Sequence, residues 1–232
     1  VYYGAVLAWG VQYTIYSVNA AWGDDPTTFF TDTFLQVVPG DTFSWAPAWS
    51  VMIPLALVWV LVLFVIGRGL SKGVEAANKV FLPLLVILFL ALVVRALFLP
   101  GAVEGLNAFF TPNWSALADP KVWLAAFAQI FYSLSVGFGI MLTYASYLQR
   151  KSNLTGTALV AGFANSSFEI LAGIGVFSAV GFMAHQGGVS VSEVEGLTGP
   201  ILSFVTFPKI ISMMPRGPFF GVLFFLSLLL AG

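Results

Sequence analysis

VWLAAFAQIFYSLSVGFGIMLTYASYL, residues 122–148, decides how the rest of the chain is read. Its flanks are apolar enough to cross a bilayer, and its middle is not. Ser133, Ser135, Gly137 and Gly139 place two hydroxyls and two glycines at mid-membrane depth. A continuous helix gains nothing from glycine there, since each costs about 1 kcal/mol relative to alanine. One reading is a helix broken near 133–137, with carbonyls and amides turned toward an ion or a zwitterion. Irregular backbone survives at that depth only where it is buried in protein or lines a cavity. The other reading is close packing of small residues against a neighbouring helix.

Outward from this stretch the chain is equally apolar. It has 232 residues, 59% hydrophobic and 8% charged, with a mean hydropathy of +0.95. Soluble domains carry roughly 25% charged residues, so a soluble enzyme and a disordered tail are excluded. Nine Lys and Arg, spread thinly, form no patch for nucleic acid. There is no cysteine, and His185 is the only histidine, so thiolate chemistry, a multi-histidine metal site and a histidine-based triad are all missing. The composition is that of an all-α polytopic membrane protein embedded in a lipid bilayer.

Six apolar segments are predicted as helices: 1–21, 46–67, 80–99, 122–148, 155–184 and 217–232. The loop 22–45 holds Asp24, Asp25, Asp32 and Asp41 with no cation. The loop 68–79 holds Arg68, Lys72 and Lys79, and 149–154 holds Arg150 and Lys151. Cationic short loops stay in the cytoplasm, so these two are expected inside and the longer loops 22–45, 100–121 and 185–216 outside. The loops 100–121 and 187–216 are long enough to hold helices of their own. The apolar run ILSFVTF in the latter is too short to span and reads as a re-entrant or surface helix over the bundle. Arg95 lies at the outer end of its helix, where a long side chain can snorkel. His185 is expected in a loop. The chain starts at Val1 and stops about 15 apolar positions into its last helix, short of the roughly 20 a span needs, so a fragment of a longer protein is expected.

Asn165 and Glu169, four residues apart, share one helix face. Glu169 is the only mid-membrane carboxylate, and such a group costs several kcal/mol unless paired or protonated. It is either functional or a neutral acid bonded to a hydroxyl or to Gln129. Asn165 and Ser133 offer hard oxygens suited to a monovalent cation, and no acidic cluster offers a site for Ca²⁺ or Mg²⁺.

With these residues in view, AQIFYSLSVGFGIMLTYASY (128–147) resembles helix six of the neurotransmitter:sodium symporters. The similarity runs the length of the chain. YYGAVLAWGVQY (2–13) resembles helix three, GLNAFFTPNWSALADPKVW (105–123) the third outer loop, and GPILSFVTFPKIIS (199–212) the fourth. The resemblance implies the leucine-transporter-type inverted-repeat fold with a broken helix six, covered here from helix three to the first half of helix eight. The midplane site beside broken helices comes with that family's fold.

The family's roles then fall on individual residues. Ser133 and Asn165 match ligands of the first sodium, and Tyr3 the tyrosine that bonds the substrate carboxylate. Tyr132 matches the aromatic lid over the substrate, Phe138 the wall of the side-chain pocket, and Ser135 the residue beside it in the unwound turn. Gly73 and Pro83 fit the Gly-x9-Pro pattern at which helix five unwinds as an inner gate. A carboxylate at Glu169, with Gln129 in the same cluster, implies chloride independence and proton counter-transport. The function implied is sodium-driven uptake of a neutral, hydrophobic amino acid by alternating access, in a prokaryotic plasma membrane. The alternative is a transporter-like receptor or channel without coupled flux. A membrane enzyme would need a reactive centre that Glu169 alone does not make. Oligomeric state is not legible.

Overall fold

The computed structural model describes residues 2–37, 46–148, 151–194, 196–197 and 199–232. Asp41 and Arg150, counted among the loop charges above, lie outside the described residues. All regular structure among the described residues is helical. The main helices are α1 (Tyr2–Ser17), α2 (Trp49–Gly67), α3 (Ala76–Leu97), α4 (Ala102–Phe110), α5 (Pro120–Ser133), α6 (Ile140–Ser146), α7 (Leu154–Gly187), α8 (Phe207–Met213) and α9 (Gly217–Ala231). Three stretches are long and apolar enough to cross a membrane: Trp49–Gly67, Lys72–Leu97 and Leu154–Gly187.

Local chemistry sets several boundaries. Asp119 caps α5 by accepting from the Lys121 amide at 2.9 Å, with Pro120 in the first turn where its missing N–H costs nothing. Asn153 caps α7 through the Gly156 amide at 2.9 Å. Gly188, at φ +64°, ends it. With 34 residues, α7 is about 51 Å long and outruns a hydrocarbon core of roughly 30 Å.

The sequence placed His185 in a loop, and that expectation is wrong. His185 sits in the last turn of α7, its Nδ1 3.4 Å from Glu104 Oε1. The helix runs on to the Gly188 cap, and α4 lies along this last part through glycines. A Cβ on Gly105 would overlap the Phe177 carbonyl oxygen, and one on Gly181 would overlap the Gly101 carbonyl. Backbone therefore packs directly on backbone, and only glycine permits it. The exposed His185–Glu104 pair adds little to that contact.

α1 packs on α9 and α2, and α3 packs on α9 and α7. Above the α1–α9 pair lies an aromatic core of Tyr13, Trp22, Phe30, Phe34, Phe204 and Phe225, with Ile211. Tyr13 is fully enclosed. Its ring meets Phe204 at 5.1 Å and Phe34 at 5.3 Å, both edge-to-face, and lies flat on Trp22 at 6.0 Å. Pairs of this kind add about 0.5–1.5 kcal/mol each beyond their buried area. Phe204 belongs to the covering segment Gly199–Met213, so the core ties that segment to α1. Trp22 adds a directional link, donating from Nε1 to Ser212 Oγ at 2.8 Å. Nearby, hydrogen bonds from Thr28, with a smaller contribution from the charge of Lys209, hold the exposed Asp25 carboxyl below the usual carboxylate range.

Two outcomes are expected in thermal unfolding of the purified protein. Gly105→Ala should cost more than about 1–3 kcal/mol, the usual penalty of overpacking, because a carbonyl cannot step aside as a side chain does. Ser212→Ala should cost about 1 kcal/mol in the native protein and close to nothing in a Trp22→Phe background. Equal costs in both backgrounds would show the bond to be without consequence.

Candidate functional site

The helix that starts at Pro120 stops at Ser133 and resumes at Ile140. The last turn unwinds in steps. Leu134 N donates to Ile130 O at 3.1 Å, and Val136 N reaches back five residues to Phe131 O at 2.9 Å. Ser135, Gly137 and Gly139 then take φ of +53°, +80° and +77°. The glycines adopt that region freely, whereas Ser135 is held there against its intrinsic preference. Among the described residues the carbonyls of Ser133 to Phe138 accept no backbone hydrogen bond, and the amides of Gly137 to Leu142 donate none. The break therefore exposes a row of acceptors next to a row of donors at the middle of an apolar segment.

Across from it, α7 presents two polar side chains one turn apart. Asn165 Nδ2 donates to Ser133 Oγ at 3.0 Å and to Glu169 Oε1 at 3.2 Å. Asn165 and Glu169 are half-buried. This triad joins α7 to the broken helix and leaves Asn165 Oδ1, a Glu169 oxygen and the Ser133 carbonyl as neighbouring hard acceptors. Oxygen ligands of that kind suit an alkali cation. No cluster of three or more histidine, cysteine or acidic residues fit for another metal occurs among the described residues.

The other residues singled out in the sequence divide around this triad. Tyr132 and Phe138 bracket the break, their rings edge-to-face at 6.2 Å. Ser135 lies in the unwound turn between them. Gln129, one turn before Ser133, is exposed and makes no side-chain hydrogen bond among the described residues. Tyr3 is on α1, with its hydroxyl near Gly232 at the end of α9, and it makes no hydrogen bond to the triad. Gly73 lies in a widened turn, Leu70–Glu75, where a Cβ would overlap the Val65 carbonyl. Helix α3 runs unbroken through Pro83, so the Gly73–Pro83 stretch is wound in this conformation.

Sequence reasoning did not single out Phe131. Its ring edge would lie 3.4 Å from a Cβ on Gly137, closing the near side of the break. Only the glycine spacing hinted at such an approach.

An apolar helical bundle with a polar interruption at membrane depth, gripped by an amide and a carboxylate, defines a polytopic membrane transport protein. The chain belongs to the sodium:neurotransmitter symporter family, whose model matches residues 23–232. It is 40% identical over its whole length to an uncharacterized sodium-dependent transporter of Methanocaldococcus jannaschii, covering 47% of that protein. It is 36% identical over 88% of its length to the sodium- and chloride-dependent creatine transporter 1 of Bos taurus, covering 32% of it. The crystal structure of MhsT in complex with L-phenylalanine matches at a TM-score of 0.75 and 34% identity, over 99% of this chain and 48% of that one. The chain thus spans about half the length of the Methanocaldococcus jannaschii relative and of MhsT.

Gly137→Ala tests the break. A side chain at φ +80° facing the Phe131 ring should cost about 1–2 kcal/mol, read as a fall in melting temperature. An unchanged melting temperature would mean that the turn rewinds without cost.

Proposed function

We propose that the protein is a sodium-coupled secondary transporter of a neutral, hydrophobic amino acid. It would work by alternating access, without a chloride requirement and with a proton returned in the opposite direction. The observation that carries this reading is the Ser133–Asn165–Glu169 triad set against the free carbonyls of the broken helix.

Sodium enters as cargo. Ser133 and Asn165 supply its oxygens, and the carbonyls of the break complete the shell. The substrate's carboxylate approaches the same ion, with the free amides and the Tyr3 hydroxyl as its hydrogen-bond donors. Its side chain lies between Tyr132 and Phe138, with Ser135 beside it. Two aromatic walls suit an apolar side chain such as that of L-phenylalanine, the ligand named for MhsT. Tyr132 differs from a plain aromatic lid by a hydroxyl at the gate. No bond is made or broken, and the sodium gradient drives the cycle.

Glu169 supplies the negative charge that balances sodium beside a low-dielectric wall. Ionised with sodium bound and protonated without it, the carboxyl carries a proton on the return step and makes an external anion unnecessary. Gln129 lies one turn from Ser133, within the range of a small rearrangement of the cluster. The inner gate is the Gly73–Pro83 stretch, where proline leaves the Lys79 carbonyl without its helical partner. That gate would face the cytoplasm of a prokaryote across its plasma membrane, a side supported by the positive charge of 68–79 and 149–154 in the sequence.

Labelled neutral amino acids should bind the protein only in sodium, and Asn165→Ala should weaken binding by at least about tenfold, or about 1.4 kcal/mol. Binding indifferent to sodium and to the mutation would favour a receptor without coupled flux. Replacing chloride by gluconate should leave uptake unchanged, and Glu169→Ser should make uptake depend on chloride. A collapse of the unmutated protein in gluconate would overturn the charge role of Glu169.

A further inference from the structure

Helix α5 ends on a closed pair of hydrogen bonds. Val136 N donates to Phe131 O at 2.9 Å and Ser135 N to Tyr132 O at 3.0 Å. With Ser135 left-handed, at φ +53°, this is the Schellman arrangement found at many helix C-termini. Glycine usually fills the left-handed position, because a side chain there disfavours it by about fivefold to thirtyfold. Here the residue is serine, and its hydroxyl makes no hydrogen bond among the described residues that offsets the cost. Two residues on, Gly137 is already left-handed, at φ +80°, and bears no such cost.

The chain therefore holds two cap positions, one strained and one free of strain. Sliding the cap from Ser135 to Gly137 winds Ser135 and Val136 into the helix. Ser135 N and Val136 N then donate four residues back, to Phe131 O and Tyr132 O, so the same two amides exchange the same two carbonyls. The net change falls on Ser133. A cap at Gly137 takes the Ser133 carbonyl, from the Gly137 amide in the simple left-handed motif or from the Phe138 amide in the Schellman form. In the broken helix that carbonyl accepts no backbone hydrogen bond among the described residues, and neither amide donates one. It belongs to the residue whose hydroxyl accepts from Asn165 at 3.0 Å. Helix and cation compete for one oxygen.

We propose that α5 ends on a sliding cap that couples sodium to the winding of the helix. With sodium on the Ser133 carbonyl the cap stays at Ser135; when the ion leaves, the cap moves to Gly137 and covers that carbonyl. Ser135 is then a positioning residue that acts on the ion through the backbone. Strain at its φ weakens the bound state and lets the ion go. This role rests on the reading of Ser133 as a sodium ligand.

Binding of radioactive sodium to the purified full-length protein without substrate tests it, followed by sodium-driven uptake in lipid vesicles. Ser135→Gly, which removes the cost, should tighten sodium binding about fivefold. The same variant should lower turnover at saturating sodium and substrate, because the ion leaves more slowly. Ser135→Asn, which tolerates the left-handed region, should tighten binding less. Ser135→Thr keeps the hydroxyl but is branched at Cβ, and should weaken binding. A serine hydroxyl acting directly on the ion gives the reverse order, with serine and threonine tight and glycine weak, and that order overturns the cap. Tighter binding in Ser135→Gly with unchanged or faster turnover overturns it as well. Either result leaves the transport reading standing, whereas an unmutated protein that binds no sodium overturns that reading and the cap with it.

Discussion

Backbone hydrogen bonding in a medium without water governs this structure. In hydrocarbon each unpaired N–H or C=O costs several kcal/mol, and helices are the way the chain avoids that cost almost everywhere. Between Ser133 and Ile140 it does not avoid it. Six carbonyls are left without a backbone partner among the described residues, beside polar side chains of α7. α7 is continuous where its neighbour is broken, and it carries Asn165 and Glu169, which are joined to Ser133 through the Asn165 amide. Asn165 is used twice, as donor to Ser133 and to Glu169, so a single side chain fixes the distance between the two helices. The alternative, packing of small residues against an intact neighbour, does not describe what the glycines do. Gly137 and Gly139 take left-handed conformations and end a helix.

The other half of the architecture is held by shape more than by bonds. The rings around Tyr13 are mostly edge-to-face, a geometry that fixes orientation as well as contact. α1, α9, the turn after Trp22 and the covering segment all meet there. A single hydrogen bond, Trp22 to Ser212, has a net worth of about 1 kcal/mol against several ring pairs of similar size. The pairs set the stability of this cap, and the bond sets its register.

Much of this was legible in the sequence, for reasons that differ from place to place. Uncharged runs such as 51–66 can only be spans, because composition alone excludes water on any face. The break in 122–148 was visible as glycine and serine where leucine would serve better, although composition left helix packing as an equal reading until φ values separated the two. Asn165 and Glu169 were legible because four-residue spacing fixes a shared face. The bond from Trp22 to Ser212 was not, since 190 residues separate its partners and no local pattern encodes that. His185 was misplaced because the loop was drawn from 185, ahead of the Gly187–Gly188 pair at which the helix closes, with Gly188 at φ +64°. The aromatic cap was hidden for a related reason: phenylalanines in a membrane protein serve lipid and core alike, and only the fold says which.

The direct backbone contact of α4 on α7 has a mechanical consequence. At Gly101, Gly105 and Gly181 the two helices meet backbone on backbone, and the Phe109 ring stacked near Phe177 at 4.8 Å fills the space beside that contact. α5 begins ten residues beyond the end of α4, after a short turn closed by Asn113 and Asp119. Pro120 opens the very helix whose far end meets Asn165 through Ser133. The chain thus leaves α7 along α4 and returns to it at Asn165, so α5 is tied to the same long helix at both ends, through the turn at one and through a single side chain at the other.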